Sequence, residues 1–152
     1  MKVLARHLTV DMYNCKLGPL SNLSFLREKI AAAIEASGLI FLDANIQTLE
    51  NNQLTALILL HEGHLTVHTY PSLHYAAVDI YTCGENCHPE KTIAALRSFL
   101  KPEKTKTTYL KRGDFGAVKD MKPRIKISVA PFRRIRNTGA RMFKMLYRRK
   151  SR

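Results

Sequence analysis

From Leu54 to Cys83 the chain reads "LTALILLHEGHLTVHTYPSLHYAAVDIYTC", a run that a β-sheet accommodates far better than a helix. Its centre alternates strictly, with His64, Thr66, His68 and Tyr70 at one parity and Leu65, Val67 and Thr69 at the other. A period of two puts the two sets on opposite faces of one strand, so both histidines point the same way. The preceding "LTALILL" is almost continuously apolar, which predicts a strand buried on both faces. "YAAVDIYTC" predicts a further strand.

The flanking segments complete the layer. "VLARHLTVDMYNC" reads as a first strand ending at the turn residues Asn14, Gly18 and Pro19. A helix follows, capped by Ser21 or Asn22, with Leu23, Leu26, Ile30, Ala33 and Ile34 at helical spacing and Gly38 as its stop. "LIFLDANIQTL" and "LTALILLHE" form a hairpin across the turn residues "NNQ". After the loop "CGENCH" comes a second helix, with Pro89 in its first turn and Glu90 near the positive end of its dipole. "KTKTTYLKRG" reads as a last strand, closing the compact part near Gly113. The expected fold is α+β, a two-layer α/β sandwich of mainly antiparallel sheet with two helices on one face.

Charge divides the chain. Up to Val118 there are 12 Lys or Arg against 11 Asp or Glu, a net of +1; from Lys119 onward 13 stand against Asp120 alone, a net of +12. Residues 1–118 are therefore read as a nearly neutral domain and 119–152 as a basic C-terminal extension. Its end, after Asn137, suits a short helix on which Met142, Met145 and Leu146 share a side, a pattern compatible with an anionic membrane surface, with RNA or with plain solvation. The apolar runs are too short to cross a bilayer, and "MKVLARHLTVD" lacks the apolar core of a secretory signal, so a cytoplasmic location is expected. Three cysteines argue against a disulfide scaffold. His64 and His68 lie about 13 Å apart by strand rise, too far to share an ion unaided, and "CGENCH" is only a loose zinc pattern. No metal is expected.

The segments "HEGHLTVHTYP" and "YAAVDIYTCGENCHPEKTIAAL", with "RHLTVDMYNC" before them and "KRGDFG" after, resemble the prokaryotic-type S-adenosylmethionine decarboxylase family from about Arg6 to Gly113. That family usually reads E-S-H-L-S/T-I/V-H-T-W-P-E at the first segment. The resemblance implies an enzyme that builds a pyruvoyl cofactor by self-cleavage at the serine and uses its ketone as the electron sink for decarboxylation. By match, Glu62 precedes the cleavage point, His68 assists self-cleavage and Cys83 protonates the carbanion. Thr55 stands where a hydroxyl supports processing, and Tyr70 where an aromatic ring lies near the adenine. The resemblance also implies a homodimer, because the family's active site is shared across a subunit interface.

Two positions depart from that pattern. Gly63 stands where the serine belongs, and glycine carries no side-chain nucleophile, so pyruvoyl is not formable between Glu62 and Gly63. Ser72 replaces the glutamate of "WPE", removing an acidic partner for the substrate's cationic end. The expected protein is an unprocessed, catalytically silent paralogue of polyamine (spermidine) biosynthesis, binding an S-adenosylmethionine-like ligand or pairing with an active decarboxylase. The rival readings are a decarboxylase with another carbonyl cofactor, a proenzyme trapped by substitution, and an adaptor that works through the basic tail. Cys83 ends a strand beside a helix start, where a thiolate is favoured; its alternative is a half-buried loop cysteine.

Overall fold

Alternation of apolar and polar residues makes each strand one-sided, and helices with a single apolar stripe can cover only one side of such a sheet. The computed structural model, which describes residues 5–84, 86–113 and 121–130, has this arrangement. The elements are β1 (Ala5–Tyr13), α1 (Leu17–Ser21), α2 (Leu23–Ala36), β2 (Phe41–Thr48), β3 (Leu54–Leu60), β4 (Gly63–Tyr70), β5 (Tyr75–Cys83), α3 (Pro89–Leu100), β6 (Lys104–Arg112) and β7 (Arg124–Val129). All neighbouring strands run antiparallel, in the order β2-β3-β4-β5-β1-β6-β7. The expected α+β sandwich is the fold found. Among the described residues no helix is long and apolar enough to span a membrane.

One parity of each strand enters the core. Leu8, Val10 and Met12 of β1, Leu65 and Val67 of β4, and Val78 and Ile80 of β5 are buried beneath Leu26, Ile30 and Ile34 of α2 and Ile93, Leu96 and Leu100 of α3. Burial of each such side chain contributes about 1.5–3 kcal/mol. The Asn22 side chain accepts a hydrogen bond from the Phe25 N–H and so caps α2, while Gly38, at φ +69°, ends it. Asn51 and Asn52, both at φ 57°, turn the β2–β3 hairpin, since asparagine enters this region at little cost.

Three features differ from the expectation. Residues 17–21, where Gly18 and Pro19 predict a turn, form the short α1, whose Leu20 is fully buried on the helix side. β3 is buried on one face only: Leu54, Ala56, Ile58 and Leu60 are inside, but Leu57 and Leu59 are each 53% exposed. The continuous apolar run predicts burial on both faces, but the helices reach only one side. Finally, "KTKTTYLKRG" is not the last strand, because β7 pairs with β6 inside the segment assigned to the basic extension. The tail helix proposed after Asn137 lies outside the described residues.

Candidate functional site

The face of the sheet that carries no helices presents the other parity of every strand: Thr55, Leu57 and Leu59 from β3, His64, Thr66, His68 and Tyr70 from β4, and Tyr75, Ala77, Asp79, Tyr81 and Cys83 from β5. His64 and His68 do share a face, as their spacing requires. Four of the residues singled out by resemblance, Thr55, His68, Tyr70 and Cys83, lie on this side, and Glu62, Gly63 and Ser72 adjoin it at its two ends.

At one end, Thr55 lies directly across from His68, and its Oγ1 is 3.2 Å from His68 Nδ1. A hydroxyl held against an imidazole is a pair able to pass or orient a proton. Tyr70 is nearby on β4, its ring 5.6 Å from that of Tyr75, whose hydroxyl donates to Asp11 Oδ1. Burial and the Asp11 carboxylate together raise the Tyr75 pKa strongly, so Tyr75 stays a neutral donor. Ser72 follows, exposed on the 3-10 turn Pro71–Leu73, with no carboxylate at its position.

At the other end, Leu60 faces Gly63, so only His61 and Glu62 connect β3 to β4. The Glu62 carbonyl accepts a hydrogen bond from the Cys83 N–H at 2.8 Å, and the Glu62 carboxylate accepts one from Ile40 N–H at 3.1 Å. Cys83 is half-buried and sits one residue past Thr82, the cross-strand neighbour of Gly63. The Thr82 hydroxyl points to the helix side, fully buried and without a partner among the described residues, so it offers no exposed nucleophile. Burial also raises the thiol pKa values of Cys15, to about 11, and of Cys87.

Position 63 is shaped for glycine. A Cβ there would stand 2.1 Å from the Tyr81 carbonyl oxygen and 2.9 Å from its carbon, with φ at +158°. The obstacle is backbone, locked in the β4–β5 ladder, and no side-chain rotation removes it.

Within one chain the two ends do not meet. From Gly63 to His68 is five strand steps of about 3.3 Å, roughly 16 Å. His68 therefore lies beyond direct reach of the Glu62–Gly63 peptide bond of its own chain. Among the described residues no group of three or more His, Cys, Asp and Glu converges to hold a metal.

Sequence reasoning overlooked a cluster beside Gly63. His64 stacks on Tyr81 at 5.6 Å between centroids, His7 meets the same ring edge-on at 6.1 Å, and the Arg112 guanidinium lies 5.5 Å from it. These residues come from β4, β5, β1 and β6, and only the register of four strands assembles them. Burial lowers the His7 pKa, Asp79 opposes that, and Arg112 and His64 add to it. The unfolded chain then binds more protons than the folded one as pH falls through the ordinary histidine value, so folding stability is lost on acidification. Between about pH 7.5 and about pH 5.5, His7→Gln is expected to lose less melting temperature than the parent, measured by calorimetry at both pH values.

These features define a two-layer α+β protein with one bare sheet face, on which an imidazole–hydroxyl pair and a thiol sit at opposite ends. Residues 6–113 match the model of the S-adenosylmethionine decarboxylase family, and the chain belongs to that family. It is 35% identical over 122 residues to the S-adenosylmethionine decarboxylase proenzyme of Methanococcus maripaludis, covering 79% of this chain and all of that one. With the proenzyme of Brevibacillus brevis it shares 38% identity over 122 residues, 80% of this chain and 91% of the relative. A crystal structure of the adenosylmethionine decarboxylase from Aquifex aeolicus shares the fold, with a TM-score of 0.69 over 74% of this chain and 93% of that one, at 24% identity.

Proposed function

We propose that this chain is an unprocessed member of its family that serves polyamine biosynthesis in the cytoplasm by binding or pairing, without a pyruvoyl group of its own. The observation that carries the reading is at Gly63. Glycine supplies no hydroxyl to attack the Glu62 carbonyl, and the Tyr81 carbonyl fills the space that any side chain would need. The residues at 62 and 63 therefore do not fit a pyruvoyl group made from this chain. The test is the intact mass of the purified, denatured protein. A single species near 17.3 kDa is expected; two fragments divided at Glu62–Gly63 would sink the proposal.

The bare face supports a homodimer in which two sheets meet. Such a two-fold contact is self-complementary, so the Thr55–His68 end of one chain can lie over the Gly63–Cys83 end of its partner. That joins groups standing roughly 16 Å apart in one chain. The exposed Leu57 and Leu59 on the same face favour the contact. An active paralogue with the same surface is an alternative partner, and the space beside Tyr70 would take an S-adenosylmethionine-like ligand. Ser72 then leaves the cationic end of that ligand without a carboxylate at this position.

A second reading rests on what the site keeps. Thr55, His68 and Cys83 remain in place, and they would serve a decarboxylase supplied with a carbonyl cofactor from elsewhere. Release of carbon dioxide from S-adenosylmethionine by the single 17.3 kDa chain would establish that reading over the silent one.

A further inference from the structure

On the helix side of the sheet, away from the face just described, a recess of about 700 Å³ opens between the start of α3 and the β6–β7 hairpin. Its charged lining is Arg6, Lys111, Lys122, Arg124 and Glu90, with Tyr109 among them. The register brings these residues together: Arg6 faces Lys111, and Tyr109 faces Arg124. Among the described residues, four cations thus surround one carboxylate. That carboxylate is already engaged, with Glu90 Oε2 3.8 Å from Arg6 Nη1.

Two contacts hold the cations in position. Arg6 Nη1 donates to the Cys87 carbonyl at 2.8 Å, fixing its guanidinium at the recess, and Arg124 lies 5.5 Å from the centre of the Tyr109 ring. Glu90, in the first turn of α3, brings the start of that helix to the recess. Among the described residues the cations outnumber the carboxylates here, and an anion of matching charge relieves the repulsion among them. The volume falls within the range of small-molecule sites, about 300–1,000 Å³, whereas a nucleic-acid surface would present an open stripe.

We infer that this recess binds a small polyanion carrying two or three phosphate groups, held by Lys111, Lys122 and Arg124 with Arg6 at its floor. The site is separate from the bare sheet face, and the inference stands whether or not the chain is processed.

Calorimetric titration of the full chain with inorganic tripolyphosphate tests it. The double variant Lys111→Gln/Arg124→Gln is expected to weaken binding by about tenfold or more, since charge-assisted contacts to phosphate are the strong ones. Lys16→Gln/Arg27→Gln removes the same charge from exposed positions elsewhere and is expected to change affinity by no more than about twofold. Equal weakening in both doubles would reduce the effect to net charge and overturn the site. So would unchanged binding in the recess variant, which would place the anion on other cations, or absence of binding in the parent. Thermal unfolding checks that each variant folds; Lys122→Gln, at an exposed position before β7, repeats the test should the recess double not fold.

Discussion

Gly63→Ser is expected to destabilise the protein by about 2–5 kcal/mol and to leave it uncleaved, because the new Cβ meets a backbone oxygen and takes up an unfavourable φ. The position supplies a large share of that effect by itself: 2.1 Å from the Tyr81 oxygen is far inside contact distance, and relief requires moving β4 or β5. Proteins of this size are stable by only about 5–15 kcal/mol, so the loss would appear as a clear shift of the urea midpoint. Gly63→Ala separates sterics from chemistry, since it adds the same Cβ without a hydroxyl, and it is expected to cost about as much. A serine variant as stable as the parent that also splits at residue 62 would show that the backbone near 63 relaxes readily and that the remaining processing groups work.

The second large effect concerns association. If two bare sheet faces meet, Leu57→Asp/Leu59→Asp places four carboxylates at the contact of a symmetric pair and removes four leucines from it. Each leucine, about half covered already in the single chain, contributes about 0.8–1.5 kcal/mol when the contact covers the rest, and each buried carboxylate costs several kcal/mol more, so the variant should not associate at any practical concentration. Light scattering during size exclusion is expected to give twice 17.3 kDa for the parent and one chain mass for the variant. The variant should still fold, because both side chains are 53% exposed in the single chain. A parent that runs as a single chain, or a variant that still pairs, would remove the sheet-to-sheet dimer.

Much of the fold was legible because local chemistry and global pattern agree. Strict alternation in β4 assigned His64 and His68 to one face, Asn22 and Gly38 marked the ends of α2, and the asparagines at 51 and 52 marked a hairpin. The failures have physical reasons. In β7, "RIKISV" alternates Ile125, Ile127 and Val129 with polar residues, the period of a strand, but the surrounding lysines and arginines made charge the louder signal. In β3 every residue but Thr55 is apolar, so the sequence carries no contrast between a face under helices and a face left bare. The site was legible only by resemblance. The Thr55–His68 pair depends on a register that no local spacing sets, and the cluster around Tyr81 draws on four strands spread over the whole chain.

The place of β1 in the middle of the sheet bears on how the protein is made. It leaves the ribosome before the other described strands, yet its partners are residues 75–83 on one side and 104–112 on the other. At about 5–20 residues per second, synthesis from Tyr13 to Cys83 lasts roughly 4–14 seconds, during which Leu8, Val10 and Met12 have no sheet to join. Both hydrogen-bonding edges of β1 stay open over that interval, and open apolar edges are where nascent chains adhere to one another. The hairpins β2–β3 and β3–β4 can close within microseconds of emerging. Assembly is therefore expected to run from the β2–β3–β4 side of the sheet inward, with β1 inserted last among the central strands and chaperone demand greatest while it waits.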